Sequence, residues 1–280
     1  MRIAVAGATG FIGRHLTAAL RARGDEVVEL SLRDPAQAAA QCDGIECVVN
    51  LAGEPISQRW SAAVKQRIVH SRTSAPHAFI DGLAKLGRTP RSYISASAVG
   101  YYGTSETETF TEASGPGNDF LAKTCIGWEE EAERAMTFGM RVAIVRTGIA
   151  LGTDGGALKA MLPPFKLGGG GIVGNGRQWL SWIHIDDVVG IYLMAIDGAT
   201  NFLNATAPTP VTNADFTHAL GHALHRPTVL PVPTLALRMM LGEGADIVLT
   251  GQRVLPARTL EQGYRFKYTS LHDALANLLA

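Results

Sequence analysis

Short apolar runs alternate with amphipathic stretches through the first two-thirds of the chain. The apolar runs are rich in β-branched residues, and the amphipathic stretches have the period of helices. Strands are predicted at Arg2–Ala6, Glu26–Leu32, Cys47–Leu51, Tyr93–Ser97 and Arg141–Arg146, and helices at Thr17–Arg23, Ser61–Leu86 and Phe120–Met136. This rhythm is typical of an α/β fold built on a doubly wound parallel sheet.

The pattern changes at Gly152, where glycine and proline pairs interrupt regular structure until Trp182–Asp187 resumes a strand-to-helix pattern. We expect a loop insertion over about 152–178. After Asn204 the chain is richer in proline around short helices, and Leu271–Leu279 is again helical. The predicted organisation is a large domain over 1–205 and a small C-terminal α/β cap domain over 206–280.

Composition narrows the class of partner. The 280 residues carry 25 basic and 25 acidic side chains, so neither nucleic acid nor a membrane surface is expected to bind. Cys42, Cys47 and Cys125 lack CxxC spacing and fit reduced, structural thiols. No apolar run approaches the roughly 20 residues of a membrane helix, and no signal-peptide pattern precedes the first strand. We expect a cytoplasmic protein that acts on a small molecule.

The most specific motif is Gly7-Ala8-Thr9-Gly10-Phe11-Ile12-Gly13, which lies between a predicted strand and a predicted helix. In that context the glycine spacing predicts a Rossmann dinucleotide turn. Gly7 would permit the tight turn, Gly10 the approach of backbone N–H groups to a pyrophosphate, and Gly13 close packing of helix on strand. A structural turn without a ligand is the alternative interpretation.

The second predicted strand ends where such proteins choose between NAD and NADP. An acidic residue there would bind the ribose 2′-hydroxyl, whereas an arginine would accept a 2′-phosphate. Arg33 stands at this position and Asp34 follows it. We therefore expect a preference for NADP(H), with NAD(H) possible.

Further segments make the chain resemble a known family. They include NLAGEPI from Asn50, SAVGYYG from Ser97, Gly155-Gly156-Ala157-Leu158, the segment Ser181–Asp187, and Gly251-Gln252. Together with the glycine turn they resemble the atypical, epimerase-like subfamily of extended short-chain dehydrogenases/reductases, often labelled sugar nucleotide epimerase or NAD-dependent epimerase/dehydratase. That subfamily carries a short C-terminal domain of unknown function, and the resemblance covers essentially the whole chain.

The resemblance implies bound NADP(H) and a substrate pocket between the carboxyl edge of the sheet and the cap. The residues expected to bind the cofactor are Gly7, Thr9, Gly10, Phe11, Ile12, Gly13, Leu32, Arg33, Asn50, Leu51, Ala52, Gly53, Arg72 and Ser95. It does not imply a particular substrate.

The usual acid–base pair of the wider family is missing. Reduction of a carbonyl requires a proton donor, which the family supplies as a tyrosine followed four residues later by a lysine, beside a serine or threonine. Ser97 matches that serine, but no tyrosine of this chain has a lysine at the fourth following position. One hypothesis assigns the proton to Tyr101 or Tyr102, tuned by Lys123. The alternatives are a substrate that needs no strong acid and a catalytically silent NADPH-binding redox sensor.

The enzyme hypothesis is an oxidoreductase that transfers hydride to or from a small carbonyl or hydroxyl compound. True sugar-nucleotide epimerisation is less favoured, because the missing pair would have supplied its base. The side chains predicted to face the substrate are Glu54, Arg59, Trp60, Gln178 and Trp182.

Two polar runs are not interpreted as metal sites. Glu129-Glu130-Glu131 is interpreted as a solvated helix face, and His184 with Asp186 and Asp187 as a helix start capped by an aspartate. The sequence does not determine the oligomeric state, although a homodimer is the commonest outcome for soluble enzymes.

Overall fold

A six-stranded parallel sheet forms the centre of the computed structural model, which describes residues 1–280. The strands are β1 (Arg2–Ala6), β2 (Glu26–Leu30), β3 (Cys47–Asn50), β4 (Ser92–Ala98), β5 (Thr109–Phe110), β6 (Arg141–Thr147), β7 (Ile149–Leu151), β8 (Trp179–Leu180), β9 (Trp182–His184), β10 (Asn201–Ala205), β11 (Val211–Thr212) and β12 (Arg253–Val254). The sheet has the order β10-β6-β4-β3-β1-β2, and all its neighbours are parallel. The doubly wound sheet predicted from the sequence is confirmed.

The helices are α1 (Phe11–Ala22), α2 (Pro35–Ala40), α3 (Ala62–Arg72), α4 (Ser74–Lys85), α5 (Phe120–Glu133), α6 (Gly156–Lys166), α7 (Ile185–Asp197), α8 (Asn213–Ala223), α9 (Thr234–Leu241), α10 (Asp246–Leu249), α11 (Ala257–Glu261) and α12 (Leu271–Leu279). The single helix predicted over Ser61–Leu86 is two helices. Pro76 has no N–H to donate to the carbonyl four residues earlier, so α3 cannot continue through it. None of the helices is long and apolar enough to cross a membrane.

Strand alternation divides the core between the two faces of the sheet. In β1, Ile3 and Val5 pack with α1 and α7, whereas Ala4 and Ala6 pack with α2 and α4. The chain enters β1, moves to β2 on one side and then to β3 on the other. Ligands bind outside the carboxyl ends of the strands at such a switch point, so the place between β1 and β3 is where a site is expected.

A third core joins the segment after β7 to the C-terminal residues. Leu158, Leu162 and Phe165 of α6 pack with Phe216 and Leu275 from the part of the chain after residue 205. The prediction of a loop over 152–178 is therefore wrong in its middle, where Gly156–Lys166 is helical. Burial of the apolar side chains outweighs the local disfavour of Pro163 and Pro164 for a helix.

Hydrogen bonds to Asp187 hold the C-terminal segment against α7. The carboxylate of Asp187 is fully buried and accepts hydrogen bonds from the backbone N–H groups of Lys267 (2.8 Å) and Tyr268 (3.0 Å) and from the Tyr264 hydroxyl (2.9 Å). The helix start itself is capped by His184, whose Nδ1 accepts from Asp186 N. The predicted aspartate cap is thus wrong, because the carboxylate holds the C-terminal chain instead.

Candidate functional site

The glycine turn after β1 has little room for any side chain. Gly7 has φ +81°, and a Cβ on it would lie 2.8 Å from the carbonyl carbon of Leu51 at the end of β3. A Cβ on Gly13 would lie 2.1 Å from the Gly7 oxygen. These are the tight turn and the close packing predicted for the two glycines. Gly10 is the N-cap of α1 and offers no side-chain cap, so the first N–H groups of the helix stay open to a ligand.

The loop after β7 covers one side of this turn. The ring of Phe11 fills space left by three glycines, Gly152, Gly155 and Gly156, where an added Cβ would lie within 2.8 Å of the ring. Asp154 in the same loop accepts a hydrogen bond from Arg14 and contacts His15 at 3.1 Å. The Phe11 side chain is therefore a packing element that positions the start of α1.

The side chains that follow β2 differ in whether they already have a partner within the protein. Asp34 is the N-cap of α2, and its carboxylate accepts a hydrogen bond from Gln37 N at 3.0 Å. Arg33 is exposed and its guanidinium makes no ion pair, whereas Leu32 is buried in the core. The Asp34 carboxylate is therefore already used to cap α2, whereas the Arg33 guanidinium is available to bind a phosphate.

The segment after β3 is held by Asn50 and Arg72. The fully buried Asn50 side chain donates to the Tyr93 hydroxyl (3.0 Å) and accepts from Ala52 N (3.1 Å). Arg72 comes from the end of α3 and donates through Nη1 to the carbonyl of Glu54 at 3.0 Å. Its guanidinium lies 4.9 Å from the centre of the Trp128 ring, and burial lowers the pKa of Arg72. Its Nε and Nη2 make no hydrogen bond within the protein, so Arg72 retains donors for a ligand.

A cavity of about 650 Å³ opens beside Arg72 at the carboxyl ends of β4 and β6. Four aromatic side chains line it, namely Trp60, Phe120, Trp128 and Trp179. Other lining residues come from the end of β4, from α5 and from the segment between Glu243 and Gln252. The cavity therefore lies between the sheet edge and the C-terminal part of the chain.

The serine predicted to be catalytic does not face this cavity. Ser97 is 3% exposed and donates a hydrogen bond to Glu129 Oε1 at 2.6 Å. The next residue, Ala98, lines the cavity instead. Successive side chains of a strand point to opposite faces, so the assignment was wrong by one position. The cavity wall at the end of β4 therefore presents a methyl group, which cannot hydrogen-bond to a substrate.

Glu129 belongs to a buried ion pair. It is 4% exposed, and its carboxylate accepts two hydrogen bonds from Arg146 of β6, Nε–Oε1 at 2.8 Å and Nη2–Oε2 at 2.7 Å. Burial alone would lower the pKa of Arg146, but its hydrogen bonds and charge pairing with Glu129 raise it overall. The interpretation of the acidic run as a solvated face is thus wrong for Glu129 and holds for the exposed Glu130.

Tyr102 is part of the same buried network. Its hydroxyl accepts from Arg146 Nη1 (3.0 Å) and donates to Asn204 Oδ1 (2.7 Å), and burial raises the pKa of Tyr102 to about 12. The Tyr101 ring lies 3.5 Å from the Arg146 guanidinium carbon. Lys123 is exposed, and none of these three predicted proton-transfer residues lines the cavity. The hypothesis of a Tyr101/Tyr102–Lys123 acid–base group is therefore wrong.

One carboxylate takes the place where the missing tyrosine is expected. Asp119 stands four residues before Lys123, lines the cavity and caps α5 by accepting from Ala122 N at 2.8 Å. Ser95, predicted at the cofactor, is only 1% exposed within β4 and donates to its neighbour's carbonyl. Ser95 cannot reach a ligand through its side chain.

Of the residues predicted to face the substrate, only Trp60 lines the cavity. Glu54 pairs with Arg67 at 3.2 Å, and Arg59 is exposed outside the cavity. Gln178 is buried and donates to the carbonyls of Val173 and Val248. Trp182 is fully buried in the third core. These four predictions are wrong because each side chain has a structural partner or points away.

Two further residues that line the cavity, Trp179 and Gln252, were not predicted from the sequence. Trp179 lies on β8, the strand that precedes β9 in the chain. Gly251 is so close to Trp179 that a Cβ on it would lie 2.1 Å from the Trp179 oxygen. Gln252 follows, and its side chain donates to the Val99 carbonyl at 2.8 Å. The pair Gly251-Gln252 carried part of the family resemblance, and its position beside the cavity accounts for that motif.

Comparison with known proteins agrees with this architecture. Residues 3–204 match the NAD dependent epimerase/dehydratase family, and residues 232–278 match a domain of unknown function, DUF1731. The human epimerase family protein SDR39U1 (isoform 2), crystallised with NADPH, has a TM-score of 0.93 at 34% identity and covers 100% of this chain and 99% of its own. UDP-glucose 4-epimerase of Thermotoga maritima, at 19% identity and a TM-score of 0.82, has the same fold.

Sequence relatives span the whole chain. The chloroplastic SDR39U1 homolog of Arabidopsis thaliana is 42% identical over 303 residues, which cover 100% of this chain and 87% of that protein. The epimerase family protein YfhF of Bacillus subtilis is 38% identical and covers 100% of this chain and 98% of its own. The resemblance inferred from the motifs is confirmed: the chain belongs to the NAD dependent epimerase/dehydratase family and carries a C-terminal DUF1731 region.

Proposed function

We propose that this protein binds NADP(H) at the glycine turn and transfers hydride to or from a small carbonyl or hydroxyl compound in the adjoining cavity. The observation that carries the proposal is the position of the cavity at the carboxyl ends of β4 and β6, the same edge of the sheet at which the glycine turn follows β1. A concave, largely apolar site with a few polar groups is the usual form of a small-molecule site.

The residues of the turn fit a dinucleotide. Gly7 and Gly13 leave no space for a side chain, and the open N–H groups of α1 together with its dipole favour phosphate charge. Backbone atoms of Thr9 to Ile12 would hold the pyrophosphate, and Leu51 to Gly53, which follow β3, would lie along the rest of the cofactor. When bound, NADPH supplies a hydride to the substrate.

The choice of NADP over NAD is supported by the committed carboxylate of Asp34 and the free guanidinium of Arg33. An arginine pairs well with a phosphate because its N–H groups match the phosphate oxygens in geometry and charge. The NADPH in the crystal structure of human SDR39U1 points to the same cofactor.

A second candidate function is an NADPH-binding redox sensor that catalyses nothing. The observation in its favour is the cavity wall itself, where Ala98 and Asp119 stand in place of the hydroxyl donors of the wider family. Such a protein would bind NADPH and show no turnover with any carbonyl compound.

A titration with NADPH and NADH, followed by nicotinamide fluorescence, tests the cofactor assignment. We expect NADPH to bind more tightly, and Arg33→Ala to weaken NADPH by about tenfold or more while leaving NADH nearly unchanged, as for loss of a charge-assisted contact. Arg91→Ala is the matched control, since Arg91 is exposed at the amino end of β4, the opposite edge of the sheet. Equal loss in both variants, or no binding at all, would contradict the proposal. Turnover of bound NADPH with a carbonyl panel then separates enzyme from sensor.

A further inference from the structure

Four flat aromatic side chains form part of the cavity wall. Trp60 and Phe120 meet edge to face, with ring centres 5.1 Å apart, and Trp128 and Trp179 line the same space. Aromatic rings prefer to stack on or meet the edges of other flat, conjugated groups. The shape and chemistry of the walls therefore favour a planar ligand over a hydroxyl-rich sugar ring.

Cations already lie against three of these rings. Lys65 Nζ is 5.2 Å from the Phe120 centre, the guanidinium carbon of Arg72 is 4.9 Å from Trp128, and that of Arg253 is 4.9 Å from Trp179. A ring whose electron-rich face is engaged by one cation attracts a second cation less. A positively charged substrate is therefore disfavoured.

A strongly anionic substrate is also disfavoured. The charged residues that line the cavity are Arg72, Asp119, Glu243 and Asp246, one cation against three carboxylates. The cations that partner Glu243 and Asp246, Lys65 and Arg238, are committed to these pairs. A nucleoside diphosphate needs several cations for its phosphates, and Arg72 is the one cation that lines the cavity.

The absent proton donor narrows the chemistry further. Hydride addition to a simple ketone leaves an alkoxide, nearly as basic as hydroxide, and the Ala98 methyl and Asp119 carboxylate cannot protonate it. Hydride addition to a conjugated carbonyl instead leaves a delocalised enolate or phenolate, and a phenol loses its proton near pH ~10, as tyrosine does. Water can protonate such an anion, and the Arg72 guanidinium can stabilise its charge.

From these four features we propose that the substrate is an uncharged, planar, conjugated carbonyl compound, a quinone or an enone, and not a nucleotide sugar. The substrate gains a hydride, which is two electrons and one proton, as a conjugated π bond breaks and a C–H or O–H bond forms. The nicotinamide is oxidised, and the substrate anion takes its proton from water. This inference rests on the proposed function, because the hydride comes from NADPH.

Calorimetric binding to the protein saturated with NADP⁺ tests the inference without turnover. The probes are menadione, an uncharged naphthoquinone, lawsone, which has the same rings but is ionised at neutral pH, and UDP-glucose. We expect menadione to bind most tightly. Phe120→Leu and Trp60→Leu should each weaken menadione by about threefold to tenfold, as for loss of one aromatic contact. Phe138→Leu is the control, because Phe138 is exposed on the 3₁₀ turn before β6, at the amino edge of the sheet.

The inference is overturned if lawsone or UDP-glucose binds as tightly as menadione, or if the two wall variants bind menadione like the wild type. It is also overturned if NADPH reduces cyclohexanone but not menadione, an outcome that leaves the proposed function intact. Failure of the protein to bind NADP⁺ or NADPH defeats the proposed function itself and is detected before any quinone is added.

Discussion

The ends of β1 and β4 lie at the same edge of the same sheet, yet the residues at the first were predicted correctly from the sequence and the catalytic residue at the second was not. At β1 the glycine spacing predicted a turn, and Gly7 and Gly13 occupy positions where a Cβ would overlap backbone atoms. At β4 the serine chosen by its place in the motif points into the protein, and Ala98 faces the cavity. A glycine acts through the conformation and close packing of its backbone, which do not depend on the face to which a side chain points. A serine acts through its side chain, and a shift of one residue along a strand moves that side chain to the other face of the sheet.

The largest effect is expected at the β4 end, from Glu129→Gln. The substitution keeps the shape of the side chain but leaves the buried guanidinium of Arg146 without its counter-charge. Removing one partner of a buried ion pair costs about 3–5 kcal/mol of unfolding free energy, which denaturant unfolding would measure.

Glu130→Gln is the matched control for this variant, since Glu130 is the exposed neighbour on the same helix. A surface substitution of this kind changes stability by roughly 0.5 kcal/mol or less. Equal, small effects of the two variants would mean that Glu129 is solvated and that the ion pair does not hold the β4 end together.

At the β1 end we expect Gly13→Ala to cost about 3 kcal/mol, the upper part of the range for overpacking. The added methyl would sit 2.1 Å from the Gly7 oxygen, so α1 must move away from β1 and the N–H groups at its start must move with it. NADPH binding should fall together with the free energy of unfolding. Gly115→Ala is the control, because no atom lies within 4 Å of its added Cβ. If the Gly13→Ala protein were as stable as the wild type and bound NADPH normally, the close packing at Gly13 would not be needed for the turn.

Much of the fold could be predicted because it depends on local patterns. The period of apolar residues gave the parallel sheet, and all three cysteines are buried as expected, with burial raising the pKa of Cys42 and Cys47 to about 11 and of Cys125 to about 12. Helix α6 was missed because its two prolines suggested a loop, whereas Leu158 and Phe165 are held by residues far along the chain.

The site was less predictable because its side chains take distant partners. Glu129 is followed by two more acids, the exposed Glu130 and the half-buried Glu131, so nothing local distinguishes it, and its burial follows from its pairing with Arg146 on β6. Gln178 and Trp182 lie in a promising segment, but contacts with Val248 and Thr209 turn them inward. Aromatic residues such as Phe120 and Trp128 fit a helix core equally well by sequence, and only the packing of α5 shows that they line a cavity.

The smallest change in the free energy of unfolding is expected from Ser97→Ala. This variant is also the most direct test of whether Ala98, and not Ser97, faces the cavity. Glu129 loses the hydrogen bond from the hydroxyl but keeps both bonds from Arg146, so the cost is about 1.5 kcal/mol. Because the hydroxyl faces away from the cavity, NADPH binding and any hydride transfer should be nearly unchanged. Ala98→Ser is the partner variant, since it places a hydroxyl on the cavity wall. If Ser97→Ala abolished turnover at unchanged stability, Ser97 would be catalytic after all, and the hydroxyl would have to turn towards the cavity when cofactor binds.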